Sequence, residues 1–236
     1  MTYDFTDRLA LVTGASRGIG AATAEALARE GMHVVLTART VAGLEQVEER
    51  IHAAGGNATI APMDLTENDS IARLAAAVAE RWGKLDLLLL NAATLGSLTP
   101  VADIDGNEFS RLLTMNLLAG QALIAAFDPL LRKSDSGRLV AITSSVGRTP
   151  RAYWGAYGAS KAALETLVLA YGEEVRNLSD VRVAIADPGA TATAMRQRAY
   201  PGEDQATLKP PGVVADALVA MVREGFESGY RIEVGS

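Results

Sequence analysis

The chain predicts a single doubly wound α/β domain, spanning residues 1–236, around a seven-stranded, predominantly parallel sheet. Three observations carry that prediction. Short unbroken apolar runs, such as Leu9-Ala10-Leu11-Val12 and Leu87-Leu88-Leu89-Leu90, suit strands buried on both faces. Stretches of helical character separate them, so strand and helix alternate along the chain and require crossover connections. The 236 residues, 49% hydrophobic, suffice for one large core, with no linker, tandem repeat or low-complexity segment to divide them.

The elements follow in order. Residues 9–12 form the first strand. A turn, Gly14-Ala15-Ser16-Arg17-Gly18-Ile19-Gly20, leads into an Ala-rich helix over 21–30 that stops at Gly31, a residue suited to the position just past a helix end. A second strand spans 34–36, and a helix over 41–54 ends at Gly55-Gly56. A third strand covers 58–63. Thr66, with Asp69 three residues later, resembles a capping box and predicts a helix from there to about Trp82. The fourth strand, 87–90, breaks at Asn91-Ala92-Ala93. A long helix is expected over 107–131, a fifth strand over 139–143, a helix over 152–177 and a sixth strand over 181–186, stopped by Pro188-Gly189. An irregular stretch precedes a helix over 213–224 and a last strand over 230–234.

Composition narrows the function classes. A net charge of -6 argues against a nucleic-acid partner, which would favour a basic face. The absence of cysteine excludes disulfides and thiolate metal sites and suits a reducing compartment. Two histidines, His33 and His52, are too few for the usual imidazole sites, so no metal centre is expected. The start, Met1-Thr2-Tyr3-Asp4-Phe5, lacks the basic and apolar regions of a signal peptide. No unbroken aliphatic run approaches the length of a bilayer span. A soluble, cytoplasmic protein is expected, with no membrane partner.

In doubly wound folds ligands bind beyond the carboxyl ends of the strands. The chemically suggestive residues fall there. Glycines in the first strand–helix turn let the backbone approach a pyrophosphate, and the helix start offers free N–H groups and a positive dipole end. The spacing is Gly-x-x-x-Gly-x-Gly, and its place in a β-α-β unit favours dinucleotide binding. The second strand ends Leu36-Thr37-Ala38-Arg39-Thr40, without the acid that would hold a ribose 2′-hydroxyl. Arg39 and Arg17 instead offer guanidinium groups suited to a 2′-phosphate, which points to NADP(H). Further along, Tyr157 and Lys161 stand one helical turn apart on one face. An ammonium beside a phenol favours the phenolate and is expected to lower its pKa.

Thr13-Gly14-Ala15-Ser16-Arg17-Gly18-Ile19-Gly20, Asn91-Ala92-Ala93, Asn116, Ser144, Tyr157-x-x-x-Lys161 and Pro188-Gly189 together resemble the motif set of the short-chain dehydrogenase/reductase family, in the family's order and over nearly the whole chain. Alanine at position 93, where that family often has glycine, is a mild departure. The stretches 144–161 and 188–209 look most like a branch of bacterial NADP-type oxidoreductases. The resemblance implies a Rossmann fold, hydride transfer between nicotinamide and a carbonyl or secondary alcohol, and a homodimer or homotetramer. It implies that Ser144 donates to the substrate oxygen, with Ser145 as the competing residue. Tyr157 would be the general acid or base, and Lys161 would tune it and hold the nicotinamide ribose. Asn116 would bind through its carbonyl a water that links Lys161 to solvent. Asp64-Leu65 resembles the pair at the adenine, although Asp64 also reads as a loop acid. Asn91, Ala92 and Ala93 belong to the cofactor wall, and Pro188, Gly189, Thr191 and Thr193 to the loop at the carboxamide and phosphate.

The substrate side is less specific. The irregular segment around 190–211, with Met195, Arg196, Arg198 and Tyr200, reads as a lid, and the 148–154 segment as a second wall. Three alternatives to carbonyl reduction stay open: epimerisation or enoyl reduction on the same fold, dinucleotide binding without turnover, and a structural subunit with no ligand, which would leave the glycine turn unexplained.

Overall fold

All seven expected strands form: β1 (Leu9–Thr13), β2 (His33–Ala38), β3 (Asn57–Pro62), β4 (Leu87–Leu90), β5 (Arg138–Ile142), β6 (Arg182–Asp187) and β7 (Tyr230–Glu233). The computed structural model describes residues 2–67 and 69–235. The strands form one sheet in the order β3-β2-β1-β4-β5-β6-β7, and every described pairing is parallel. Because β4 lies on the far side of β1 from β2, the chain changes winding direction between β1 and β4. Such a switch point opens a crevice at the strand ends.

Both faces of the sheet are covered, which explains the continuous apolar runs. Ala10, Val12, Val34 and Leu36 point to one side and pack with α1 (Gly18–Arg29), α2 (Val41–Ala53) and, late in the chain, α8 (Pro211–Glu224). Leu9, Leu11, Val35, Leu88 and Leu90 point to the other, among residues of α3 (Ser70–Trp82), α5 (Ala119–Leu131) and α6 (Gly155–Val175). Each fully buried aliphatic side chain contributes about 1.5–3 kcal/mol, so the two faces supply the main driving force.

Asp86, just before β4, ties down the opposite end of the sheet from the crevice. It is fully buried and accepts from Leu9 N at 2.9 Å, Ser134 Oγ at 2.6 Å, Arg8 at 3.0 Å and Lys84 at 3.1 Å. Four donors make a buried carboxylate tolerable, where an unpaired one would cost several kcal/mol.

Three elements differ from expectation. The capping box at Thr66 does not form. The Asp64 carboxylate instead accepts from Thr66 N at 2.9 Å and Thr66 Oγ1 at 2.7 Å, a tight local turn, and α3 starts at Ser70. Asp69 stands at that start in the left-handed region, with φ 60, and its side chain caps nothing. Second, the helix expected over 107–131 forms as α4 (Gly106–Leu113) and α5, joined through a π turn over Thr114–Leu118. It is continuous over Gly106–Leu131, 26 residues long and apolar enough to cross a membrane, although unbroken aliphatic runs do not reveal it. Leu123, Phe127 and Leu131 face the sheet, so this apolarity belongs to the core. Third, the segment around 190–211 is not wholly irregular. It contains α7 (Ala194–Ala199) and a single 3-10 turn, Gln205–Thr207, and a bridge between Thr191 and Lys209 closes its base.

Candidate active site

A cleft of about 590 Å³ opens at the carboxyl ends of β1, β2, β4, β5 and β6. Its first wall is the glycine turn. Thr13 joins the two strands at the switch point: its hydroxyl donates to Leu89 O at 3.0 Å and accepts from Asn91 N and Ala92 N at 2.9 and 3.1 Å. Asn91 Nδ2 donates back to Thr13 O at 2.8 Å and to Gly14 O at 3.3 Å. Gly14 has φ +66, and a Cβ there would come within 2.9 Å of Asn91 Nδ2, so the turn admits only glycine without strain. Gly20 serves a different purpose. A Cβ on it would lie 2.4 Å from Gly14 O, so its bareness sets α1 directly against the turn. Gly20 is buried and stays off the cleft wall, while Gly14, Ser16, Arg17, Gly18 and Ile19 all line it. No side chain caps the start of α1, and its first turn holds no acid. Unclaimed N–H groups at a positive dipole end fit a phosphate.

The second wall is the end of β2, where Ala38, Arg39 and Thr40 line the cleft beside Arg17. The Arg39 side chain is 72% exposed, so it is free to swing, and its Nη1 lies 3.8 Å from the Asp64 carboxylate. Leu65 lines the cleft and Asp64 does not. The bonds from the Thr66 hydroxyl and N–H hold the Asp64 carboxyl below its usual range, and Arg39 adds to the effect. Asp64 therefore builds its own turn rather than the wall. Asn91, Ala92 and Ala93 line the cleft.

Tyr157 and Lys161 meet the cleft from α6, 7% and 2% exposed. The Lys161 ammonium donates to Ile142 O at 2.9 Å, at the end of β5, and lies 5.7 Å from the centre of the Tyr157 ring. Burial pushes the Lys161 amine down to about 8, against the opposing pull of Glu165 one turn on. The expected lowering of the phenol by Lys161 is not what this geometry shows. Burial pushes the Tyr157 hydroxyl up, and the nearby Asp187 carboxylate adds to it. The physical reason is that the ammonium is bound to a strand carbonyl while a phenolate here would lose nearly all its water. A cation brought close to the hydroxyl would be needed to reverse the sign.

Ser144 lines the cleft. Ser145 is not on the wall, and its Oγ accepts from Arg151 at 3.4 Å, which separates the two competing serines. Asn116 is buried in the π turn and also stays off the cleft wall. Its Nδ2 donates to Thr94 O at 2.9 Å and Ser160 Oγ at 3.0 Å, and its Oδ1 accepts from Thr94 N at 2.8 Å. The side chain thus clamps the loop after β4 onto α6, next to Lys161. The π turn interrupts the regular pattern of helix hydrogen bonds at this residue, a distortion that recurs at functional sites.

The last wall follows β6. Gly189 has φ +60 and its N–H donates to Asp187 Oδ1 at 3.0 Å, while Thr191 Oγ1 donates to Pro188 O at 3.0 Å. Thr193 caps α7, accepting from Arg196 N at 3.1 Å. Pro188, Gly189, Thr191 and Thr193 all line the cleft. α7 places the Met195 sulfur 3.9 Å from the Tyr157 hydroxyl. Thr94, Leu95 and Met115 also line the cleft, and sequence reasoning missed them. Their only signal was their nearness to Asn91 and Asn116.

Comparison with known proteins agrees with this arrangement. Residues 8–204 match the family model described as short chain dehydrogenase. The uncharacterized oxidoreductase YciK of Escherichia coli (strain K12) is 39% identical over 208 residues, covering 87% of this chain and 82% of its own length. A short chain dehydrogenase structure from Pseudomonas syringae superimposes with a TM-score of 0.95 at 35% identity, covering 100% of this chain and 98% of that one. One from Escherichia coli CFT073, complexed with NADPH, gives 0.92 at 35% identity, with 99% of each chain covered. A glycine-rich turn at the switch point, a Tyr–Lys pair facing it and a match spanning most of the chain have one common explanation, and the protein is an oxidoreductase of the short-chain dehydrogenase family.

Proposed function

We propose that this protein is an NADP(H)-dependent reductase or dehydrogenase acting on a carbonyl or secondary alcohol. The observation that carries this reading is that one cleft is lined both by the uncapped glycine turn and by Ser144, Tyr157 and Lys161. The fit to a dinucleotide rests on that turn: N–H groups without side-chain caps, no acid in the first helical turn, and Arg17 and Arg39 at the side where a 2′-phosphate would lie. Solved relatives from Escherichia coli and Shigella flexneri were crystallised with NADPH and NADP, which supports the same choice.

When bound, the nicotinamide would supply or accept the hydride, and the remaining work belongs to the chain's own residues. Ser144 donates a hydrogen bond that holds the substrate oxygen at the cleft floor. Tyr157 delivers its phenolic proton to that oxygen in reduction and removes it in oxidation. Burial disfavours the phenolate, so the hydroxyl holds its proton until the substrate oxygen takes it. Lys161, on Ile142 O, orients the pair and offers its positive charge to the phenolate as that proton leaves. Asn116 holds the Thr94 loop and α6 in register, beside the route by which a water would return the proton. The absence of cysteine suits an enzyme of the cytoplasm.

The test is a panel of carbonyl compounds with NADPH, followed at the nicotinamide absorbance, on the parent and on Tyr157→Phe. Loss of the hydroxyl should leave folding and NADPH affinity intact and lower turnover about 10²–10⁴-fold. A variant within about threefold of the parent would remove Tyr157 from the mechanism.

A further inference from the structure

The wall facing Tyr157 has a chemistry that composition could not show. Leu95 and Val146 are buried against Tyr157, and Leu98, Trp154, Met195 and Ala199 pack on them. Trp154 meets the Tyr157 ring edge-on at 5.9 Å and stacks on Tyr200 of the lid at 5.8 Å. Tyr153, the residue before it, has φ 73, a strained conformation for a tyrosine, and its carbonyl accepts from Thr99 N at 3.2 Å. Strain of about 1–3 kcal/mol is maintained just where the chain turns Trp154 inward.

The lid's arginines do not offset this apolar surface. Arg196 gives both Nε and Nη2 to Glu203, at 2.5 and 2.6 Å, and its guanidinium lies 3.9 Å over the Tyr200 ring. A cation already paired with a carboxylate and covered on one face is not available to a substrate anion. Arg198 also lines the cleft, but it is exposed and lies outside the apolar cluster packed on Tyr157. The cation beside the Tyr157 ring is Lys161, at 5.7 Å from its centre, and its ammonium is already bound to Ile142 O. The Tyr157 hydroxyl faces the Met195 thioether, a weak acceptor that a carbonyl oxygen outcompetes.

We propose that the chamber between Trp154, Met195 and Tyr157 is the substrate pocket and takes an uncharged carbonyl compound with an apolar, preferably aromatic, group lying against Trp154. Its carbonyl oxygen replaces the Met195 sulfur at the Tyr157 hydroxyl. This rests on the reductase reading and specifies its substrate class. A carboxylate set among Leu95, Leu98, Trp154 and Met195 would lose water, a cost that an uncharged carbonyl avoids.

The experiment compares matched compounds under NADPH: methyl benzoylformate (neutral, aromatic), benzoylformate (its anion) and methyl pyruvate (neutral, small). The aromatic ester should exceed its anion in kcat/KM by at least a hundredfold and methyl pyruvate by about tenfold. Trp154→Ala should bring the ratio of kcat/KM for the aromatic ester over methyl pyruvate from about ten down to near one, with NADPH affinity as the measure of intact folding. Trp154→Phe, which keeps a ring in place, should restore the ratio. An anion turned over as well as its ester, or an aromatic preference untouched by Trp154→Ala, overturns the proposal. Equilibrium titration with acetophenone and benzoate, read by tryptophan fluorescence, separates the pocket from the chemistry. Acetophenone binding without turnover of any carbonyl compound would support the pocket and overturn the reductase reading. Benzoate binding as tightly as acetophenone would overturn the pocket.

Discussion

Replacing Lys161 with methionine should make the protein more stable and nearly inactive, and the size of the gain follows from the buried amine. The Lys161 pKa falls from 10.5 to about 8 on burial. At 1.36 kcal/mol per pH unit, holding the charged form inside costs about 3 kcal/mol. The sign follows from proton binding. Below pH 8 both folded and unfolded chains carry the proton, and the penalty is fully present. Between pH 8 and 10.5 the unfolded chain binds more protons than the folded one, so stability rises with pH through that window. Methionine has similar length and no charge; the attraction of Glu165 that it gives up is already counted in the net shift, and the bond to Ile142 O is worth about 1 kcal/mol net. Glu165 keeps Arg231 as its ion partner, so the change strands no carboxylate. Lys161→Met should therefore gain about 2 kcal/mol over the parent at pH 7. By pH 10 that advantage should have largely disappeared. Urea unfolding of both proteins at the two pH values measures this, and the difference between them cancels the buried tyrosines. An equal advantage at both pH values, or a less stable variant at pH 7, would refute the burial account. Turnover should fall at every pH, because the stability lost to Lys161 maintains a charge that the chemistry uses.

Other outcomes follow from the same structure. Arg39→Asp, at a side chain 72% exposed, should leave stability within about 0.5 kcal/mol and flatten or reverse a preference for NADPH over NADH, as titration with both cofactors would show. Equal affinities in the parent would reject the role given to Arg39. Gly20→Ala places a methyl group 2.4 Å from Gly14 O and should cost about 2–3 kcal/mol in urea unfolding, with weaker NADPH binding. An unchanged midpoint would mean that α1 does not seat so closely. We also propose a homodimer or homotetramer: α6 buries Leu164, Val168 and Tyr171 and leaves Ala159 and Ala170 exposed, while Leu118 on the neighbouring helix is 55% exposed. Light scattering at micromolar concentration that gives a single chain of 24.7 kDa would reject this.

The sequence alone determined the order of elements, because strands buried on both faces must be apolar throughout and Gly14, Gly31 and Pro188 mark their ends. It also located the chemistry, because a pyrophosphate turn and a Tyr–Lys pair need particular residues at close spacing. Boundaries shifted where side chains had a choice of partner: Asp64 took Thr66 for its own turn, so the helix started three residues later than a cap at Thr66 suggests. What only the tertiary structure decided were the contacts between residues far apart in the chain. Ser144 and Ser145 compete in the sequence; in the structure Ser144 lines the cleft, whereas Ser145 stays off it and accepts from Arg151. The π turn at Asn116 closes on Thr94 and Ser160, 22 and 44 residues away. The proton affinities of Tyr157 and Lys161 were the furthest from expectation. Spacing places a charge near a phenol, but water removed by the surrounding core acts on both groups, and here desolvation outweighs their mutual attraction.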